Sequence, residues 1–285
     1  MPPWFRSCFN AAMLRLIMLL TTVAWTTGAT ATAQPVTLPV YGAKHATDEV
    51  RIDGTLDEAT WSLSPRVGEM RLIHAPDRRP TFPTEAAMTW DAMHLYVAFA
   101  CSDPEPWARH GARDDRLWEE EVVEVFLDPD GDGRNYAEIE VSPTNVVVDL
   151  LIAAPQAGGP NARRWDVVGL RTAVRRHAAG WVAEMAIPWA SLADAGVTQA
   201  PVPGNEWRVG LYRIKRPGGV AKAARIDALV AERRSATDDG KTAIDAELLA
   251  LRGDDEYSAW SVTRAERGFH DPGRFGMVHF IGASR

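Results

Sequence analysis

The residues with the greatest chemical potential lie between Glu119 and Ser142. Val122–Leu127 and Tyr136–Ser142 are two β-type runs joined by Asp128-Pro-Asp-Gly-Asp-Gly-Arg134. Side chains alternate faces along a strand. Pairing Val123 with Val141, Val125 with Ile139 and Leu127 with Ala137 matches apolar to apolar and fixes the register. That register sets Glu124 opposite Glu140 and Phe126 opposite Glu138. Directly opposed carboxylates repel. An arginine, a cation, a shared proton or ligand hydroxyls must offset them. The plainer reading is a solvated face, where the repulsion costs well under ~1 kcal/mol. Read as a site, the face has Trp118 as an aromatic plate at the strand entrance. Arg213, set between Tyr212 and Ile214, is then the balancing charge; its plainer reading is a surface arginine.

The turn between the runs invites a metal reading. Asp128, Asp130 and Asp132, with Gly133, match the start of a calcium loop, but Ile139 falls where an EF-hand needs a bidentate Glu. A structural calcium could still sit on Asp128, Asp130 and Asp132, with help from Glu119, Glu120 or Glu121. The alternative is Asp and Gly chosen for turn geometry. Glu124 and Glu140 could also be a glycosidase pair, if a sugar fits between them and one acid stays protonated. The chain has no G-x-S-x-G, H-E-x-x-H, C-x-x-C or phosphate loop. His74 and His94 read as surface or packing residues. Met70, Met88 and Met93 could face a haem, but no axial pairing is readable.

The elements that must position these groups are short and β-rich. Thr84–Trp90, His94–Cys101, Val146–Ile152, Val167–Val174, Trp181–Ile187, Trp207–Ile214 and Arg274–Ile281 alternate and end in turn residues. They predict an all-β fold: an antiparallel β-sandwich of two sheets, jelly-roll or immunoglobulin-like. Short helices are expected near Leu56–Trp61 and Pro188–Leu192. Residues 220–251 predict a helical insertion, a hairpin turning at Asp238-Asp239-Gly240, from apolar residues at helical spacing; a charged loop is the alternative.

The ends and the charge bound the partners. Arg6 and Arg15 precede an apolar run, Leu16–Trp25, and Ala31-Thr-Ala33 follows. These features predict a signal peptide over residues 1–33 and a mature chain from 34 to 285, secreted or periplasmic. An uncleaved anchor is the alternative. Of 31 basic residues 29 remain after cleavage, against 38 acidic ones, a net charge of −9. Nucleic acid is an unsuitable partner for such a surface. No later segment is apolar enough to span a membrane. The composition, 46% apolar and 24% charged, is that of a globular protein. Two cysteines exclude a disulfide framework, and Cys101 in Leu-Tyr-Val-Ala-Phe-Ala-Cys reads as buried.

Several blocks in order resemble the family 9 carbohydrate-binding modules, especially single-domain secreted bacterial relatives. They are Ile52-Asp53-Gly54 with Trp61, Trp90-Asp91 with Leu95-Tyr96-Val97, and Leu117-Trp118-Glu119 followed by Val123-Glu124-Val125-Phe126-Leu127-Asp128. Gly180-Trp181, Ile187-Pro188-Trp189, Trp207 and Phe269-His270-Asp271-Pro272 with Phe275-Gly276 complete the series. The resemblance implies a sugar-binding sandwich with structural calcium in some members. It implies a clamp of two aromatics, at Trp118 and Phe269, and an acidic sugar contact at Glu124. The chain departs from that pattern. Phe269 stands where sugar-binding members carry Trp, Glu140 falls at a basic contact, and Ser142 stands where an amide would help. The expected function is a non-catalytic module that binds a sugar, by its chain end, through Trp118, Glu124, Glu140, Arg213 and Phe269. A glycoside hydrolase, accessory or intrinsic, and an extracytoplasmic scaffold without sugar binding are the alternatives.

Overall fold

The computed structural model describes residues 37–155 and 162–283. The leader expected over residues 1–33 lies outside them. Among the described residues the chain is mostly β. The strands are β1 (Val40–His45), β2 (Arg71–Leu72), β3 (Thr84–Trp90), β4 (His94–Ser102), β5 (Val122–Asp128), β6 (Tyr136–Val141), β7 (Val147–Ile152), β8 (Arg171–His177), β9 (Gly180–Pro188), β10 (Glu206–Lys215), β11 (Glu256–Ala259) and β12 (Gly276–Ile281). Three helices accompany them: α1 (Ala59–Leu63), α2 (Gly219–Arg233) and α3 (Asp238–Leu251). No described helix is long and apolar enough to cross a membrane.

The strands join in one hydrogen-bonded path, β7-β6-β5-β10-β12-β1-β3-β4-β9-β8, with β11 and β2 attached through β10. The path is mixed, which corrects the purely antiparallel expectation. β1 runs parallel to both β12 and β3 and so stitches the two antiparallel groups together. β10 is the other junction. Its first half pairs with β12, its second half with β11, and its opposite edge with β5 throughout.

The sheet curls around one core. Val123, Val125 and Leu127 of β5, Ala137 and Ile139 of β6, and Val209 and Leu211 of β10 point inward. They pack in the same cluster as Met88, Val97, Phe99, Met185 and Ile187 of β3, β4 and β9. Burying an apolar side chain stabilises by roughly 1.5–3 kcal/mol, so this shared face is what brings the two strand groups together. Trp61, Trp90, Trp181, Trp189 and Trp207 are all buried. Cys101 is buried, and burial pushes its thiol up to about 11.

Strand edges and helix ends differ from the sequence expectation in places. β8 begins at Arg171, because 167–170 make a turn closed by Leu170 N–H donating to the Val167 carbonyl. Between α2 and α3 the turn falls at residues 234–237, not at Asp238-Asp239-Gly240. Thr237 caps α3 by accepting from Gly240 N–H, and Asp238 and Asp239 occupy its first turn, where the helix dipole favours acids.

Candidate functional site

β5 and β6 pair as the apolar match requires, with Glu124 opposite Glu140 and Phe126 opposite Glu138. The face that carries these acids is not solvated. Phe126, Tyr136, Tyr212, Phe269 and Phe275 form a second apolar cluster on it, so β5, β6 and β10 are buried on both faces. Glu124, Glu138 and Glu140 are 2%, 4% and 0% exposed. One oxygen from each lies within 4.8 Å of the others. Both oxygens of Glu140 and Oε2 of Glu138 lack a hydrogen-bond partner outside the three acids.

Burial is the main cause of their altered acidity. It raises Glu124 and Glu140 well above the ordinary carboxylate range, and the neighbouring carboxylates raise them further. Burial also pushes Glu138 up to about 7. Arg216 opposes the shift at Glu124 and Arg163 opposes it at Glu140. His270 Nε2 lies 3.8 Å from Glu138 Oε2, and His270 Nδ1 shares a 2.8 Å hydrogen bond with the Tyr136 hydroxyl. All three acids therefore hold a proton more tightly than ordinary carboxylates do.

The rim is aromatic and basic. Trp118 sits in a 3-10 turn, Leu117–Glu119, and is half-buried. The Arg163 guanidinium lies over its ring, 5.4 Å from the centroid. Arg216 donates from Nη2 to the Trp118 carbonyl at 2.9 Å and covers the Tyr257 ring, 5.4 Å from its centroid. Tyr257, on β11, is also half-buried and meets Phe269 edge-on at 6.1 Å. Phe269 itself is 7% exposed and stacks on Tyr212 at 4.3 Å, with planes 10° apart. Gly210 makes that stack possible, because a Cβ there would lie 2.4 Å from the Tyr212 ring. The structure therefore brings Trp118, Glu124, Glu140 and Phe269 to one face, with Phe269 as a floor beneath Tyr257. Sequence reasoning missed Tyr257. Its strand has four residues, and Tyr-Ser-Ala-Trp after a long helical stretch gives too brief an alternation to read.

Arg213 is not part of this face. β10 pairs Tyr212 with Glu124 and Arg213 with Val123, so Arg213 points to the inner side. There its Nη2 meets Asp103 Oδ2 at 2.8 Å, and its Nη1 donates to Thr84 Oγ1 at 3.0 Å. Lys215 Nζ bridges Asp103 and Glu121 at 2.7 Å each. Strand parity puts Arg216, like Tyr212, on the acidic side, and Arg163 reaches that side from the 3-10 turn Ala162–Arg164; these two, not Arg213, act electrostatically on Glu124 and Glu140.

The Asp128 loop closes the same hairpin. Asp128 is fully buried; its Oδ2 accepts from Gly133 N–H at 3.0 Å and its Oδ1 has no partner. One oxygen each of Asp128, Asp130 and Asp132 lies within 4.8 Å of the others. Burial, then the charges of Asp130 and Asp132, push Asp128 up to about 6. Gly133, at φ 75°, supplies the left-handed turn, and a Cβ there would press on Pro272 at 3.3 Å. Three carboxylates with an orphaned buried oxygen suit a hard cation. Glu119, Glu120 and Glu121 cannot assist. They precede the other end of β5, about 20 Å away at ~3.3 Å per residue. Glu120 instead accepts from Arg109 Nε at 2.8 Å.

An all-β fold with a buried acidic hairpin beneath half-exposed aromatics fits a ligand-binding module. Residues 52–214 match the family model described as carbohydrate family 9 binding domain-like, and the chain belongs to that family. Similar solved structures include a family 9 carbohydrate-binding module from Caldicellulosiruptor kristjanssonii in complex with cellotriose. It is 14% identical at a TM-score of 0.55, covering 86% of this chain and 95% of that one. The same kind of module from that organism, in complex with glucose, is 14% identical at a TM-score of 0.53, covering 85% and 97%. A putative carbohydrate-binding protein from Bacteroides uniformis ATCC 8492 is 16% identical at a TM-score of 0.59, covering 86% and 100%. No curated protein matches the chain.

Proposed function

We propose that the protein is a secreted or periplasmic, non-catalytic carbohydrate-binding module that takes a sugar chain end on the face carrying Trp118. The observation that carries this is the half-buried Trp118 ring, packed at the edge of the apolar cluster that covers the acidic face of β5 and β6, in a chain of the carbohydrate family 9 class. An aromatic ring offers apolar contact to the C–H face of a sugar, and the buried carboxylates beneath it lie out of reach of the ligand's hydroxyls. Cellotriose and glucose in the similar structures support a glucose-type ligand. Tyr257, rather than Phe269, is the second aromatic that a ligand can reach. Burial of both Glu124 and Glu140 supports the non-catalytic reading, since a glycosidic bond cannot pass between them.

In this reading the curled sheet works as a two-layer sandwich, and residues 220–251 are a helical insertion outside the sugar face. Asp128, Asp130 and Asp132 would hold a structural calcium that fixes the hairpin end. The leader over residues 1–33 supports export. Titration calorimetry of the protein and of Trp118→Ala, against a panel headed by cello-oligosaccharides, tests the reading. Binding by the parent and its loss in a folded variant are expected. No binding across a broad glycan panel by the folded parent overturns it.

A further inference from the structure

We propose that Glu124, Glu138 and Glu140 form a binding site for a hard divalent cation of the calcium class. The geometry is the first ground. Two oxygens on one calcium, each bound at about 2.4 Å, are at most about 4.8 Å apart. One oxygen from each of the three carboxylates meets that limit.

The second ground is independent of the clustering. Glu140 is 0% exposed and neither of its oxygens has a hydrogen-bond partner outside the three acids; Glu138 Oε2 lacks one too, so any bond within the trio is a proton shared between Glu138 and Glu140. Buried polar atoms are paired in folded proteins, and an orphaned one points to a missing water or ion. Nothing nearby on the chain fills the role. Among the described residues no lysine or arginine nitrogen lies within 4.0 Å of these carboxylates. The ring nitrogen of His270, at 3.8 Å from Glu138, is positive only when protonated. Arg216 and Arg163 influence Glu124 and Glu140 only from farther away.

The donor set selects the ion. It is all oxygen, which excludes a soft metal. Three carboxylates supply up to six oxygens, enough for calcium without water. Magnesium keeps several waters and holds them tightly, and this pocket is apolar around the acids. A divalent ion takes three negative charges to one, which Arg216 and Arg163 then face.

The site does not rest on sugar binding, and no glycan enters its test. The Asp128 loop is silenced first by Asp130→Asn with Asp132→Asn. Calcium is titrated into this metal-stripped protein by calorimetry. Terbium is added separately, with emission excited through the aromatic residues. The expected result is one calcium per chain, and sensitised terbium emission that calcium displaces. Glu140→Gln in the same background should weaken calcium at least about tenfold, the lower end of what loss of a mere supporting contact costs. Glu138→Gln provides the same reading if Glu140→Gln does not fold. Calcium affinity unchanged in both folded variants overturns the proposal. So does a folded, loop-silenced protein that binds no calcium at millimolar concentration. Magnesium binding as tight as calcium overturns the assigned ion class.

Discussion

On the inner side of β5 and β10, Asp103, Glu121, Arg213 and Lys215 are buried together. On the outer side, Glu124, Glu138 and Glu140 are buried together. The inner group has two acids and two bases. Both Asp103 oxygens bond to cations, Glu121 Oε1 accepts from Lys215, and its Oε2 accepts from Trp107 N–H. The outer group has three acids, with three oxygens unpartnered. Both groups bear the cost of leaving water. The inner one recovers more of it from its own chain, through four charge-assisted contacts, although Arg213 Nε is unpartnered and burial still pushes Glu121 up to about 8; it acts as a structural tie between the end of β4 and β10. The outer one needs protons, an ion or a ligand, and that is the mark of a site.

The largest test of this contrast is Asp103→Ala. It leaves Arg213 and Lys215 buried with one carboxylate between them, and should destabilise by about 3–5 kcal/mol. Urea denaturation reads the loss, and a change below about 1 kcal/mol would erase the distinction between the two groups.

Trp118→Ala comes next. The ring is half-buried and lies over no inner-core residue, so the thermal midpoint should drop by only a few degrees. Glycan affinity should fall by at least about 2 kcal/mol, as for a buried aromatic anchor. A global loss of fold would make Trp118 a packing residue and remove the aromatic rim from the outer group.

A pH series sharpens the comparison further. The Glu138 carboxyl is raised to about 7 in the folded chain, against roughly 4.3 in an unfolded one. Between these values the unfolded chain releases its proton while the folded chain keeps it. The stabilisation is therefore complete below the unfolded value and is lost as pH rises toward about 7. Glu121, Glu184 and Asp128 are raised as well and add slopes of the same sign. The informative measurement is the difference from Glu138→Gln in metal-free buffer, whose stability should decline less from pH 5 to 8. Parallel curves would show that Glu138 carries no proton into the fold.

The smallest effect is expected for Glu140→Gln without metal. Removing a directly opposed like charge should leave stability unchanged or raise it by about 0.5–1 kcal/mol. A loss above about 1 kcal/mol in a thermal melt would mean that Glu140 is already satisfied, and that the two groups are alike.

Much of the site was legible before the fold. The β5–β6 register follows from three apolar pairs, and it places Glu124 against Glu140 without further information. Burial of that acidic face was not legible. It depends on Phe269, Phe275 and Tyr212, which arrive from strands and loops far along the chain. The resemblance marked Phe269 as a clamp, whereas packing on Tyr212 makes it a floor. Arg213 was misassigned because the face a residue takes depends on which strand its own strand joins. Once β10 pairs with β5, Tyr212 shares the side of Glu124, and Arg213 must share that of Val123.

By itself the sequence determined the all-β class, most strand positions and the juxtaposition of Glu124 and Glu140, because two-residue alternation is a local signal. It also determined the family, through blocks spread along the chain. Only the tertiary structure decided that β1 joins its neighbours in parallel, that Tyr257 reaches the rim, and that one acidic group is neutralised while the other is not. Those outcomes depend on contacts between segments distant in sequence. A charge carries no local sign of whether its partner will arrive from elsewhere in the chain or from outside it.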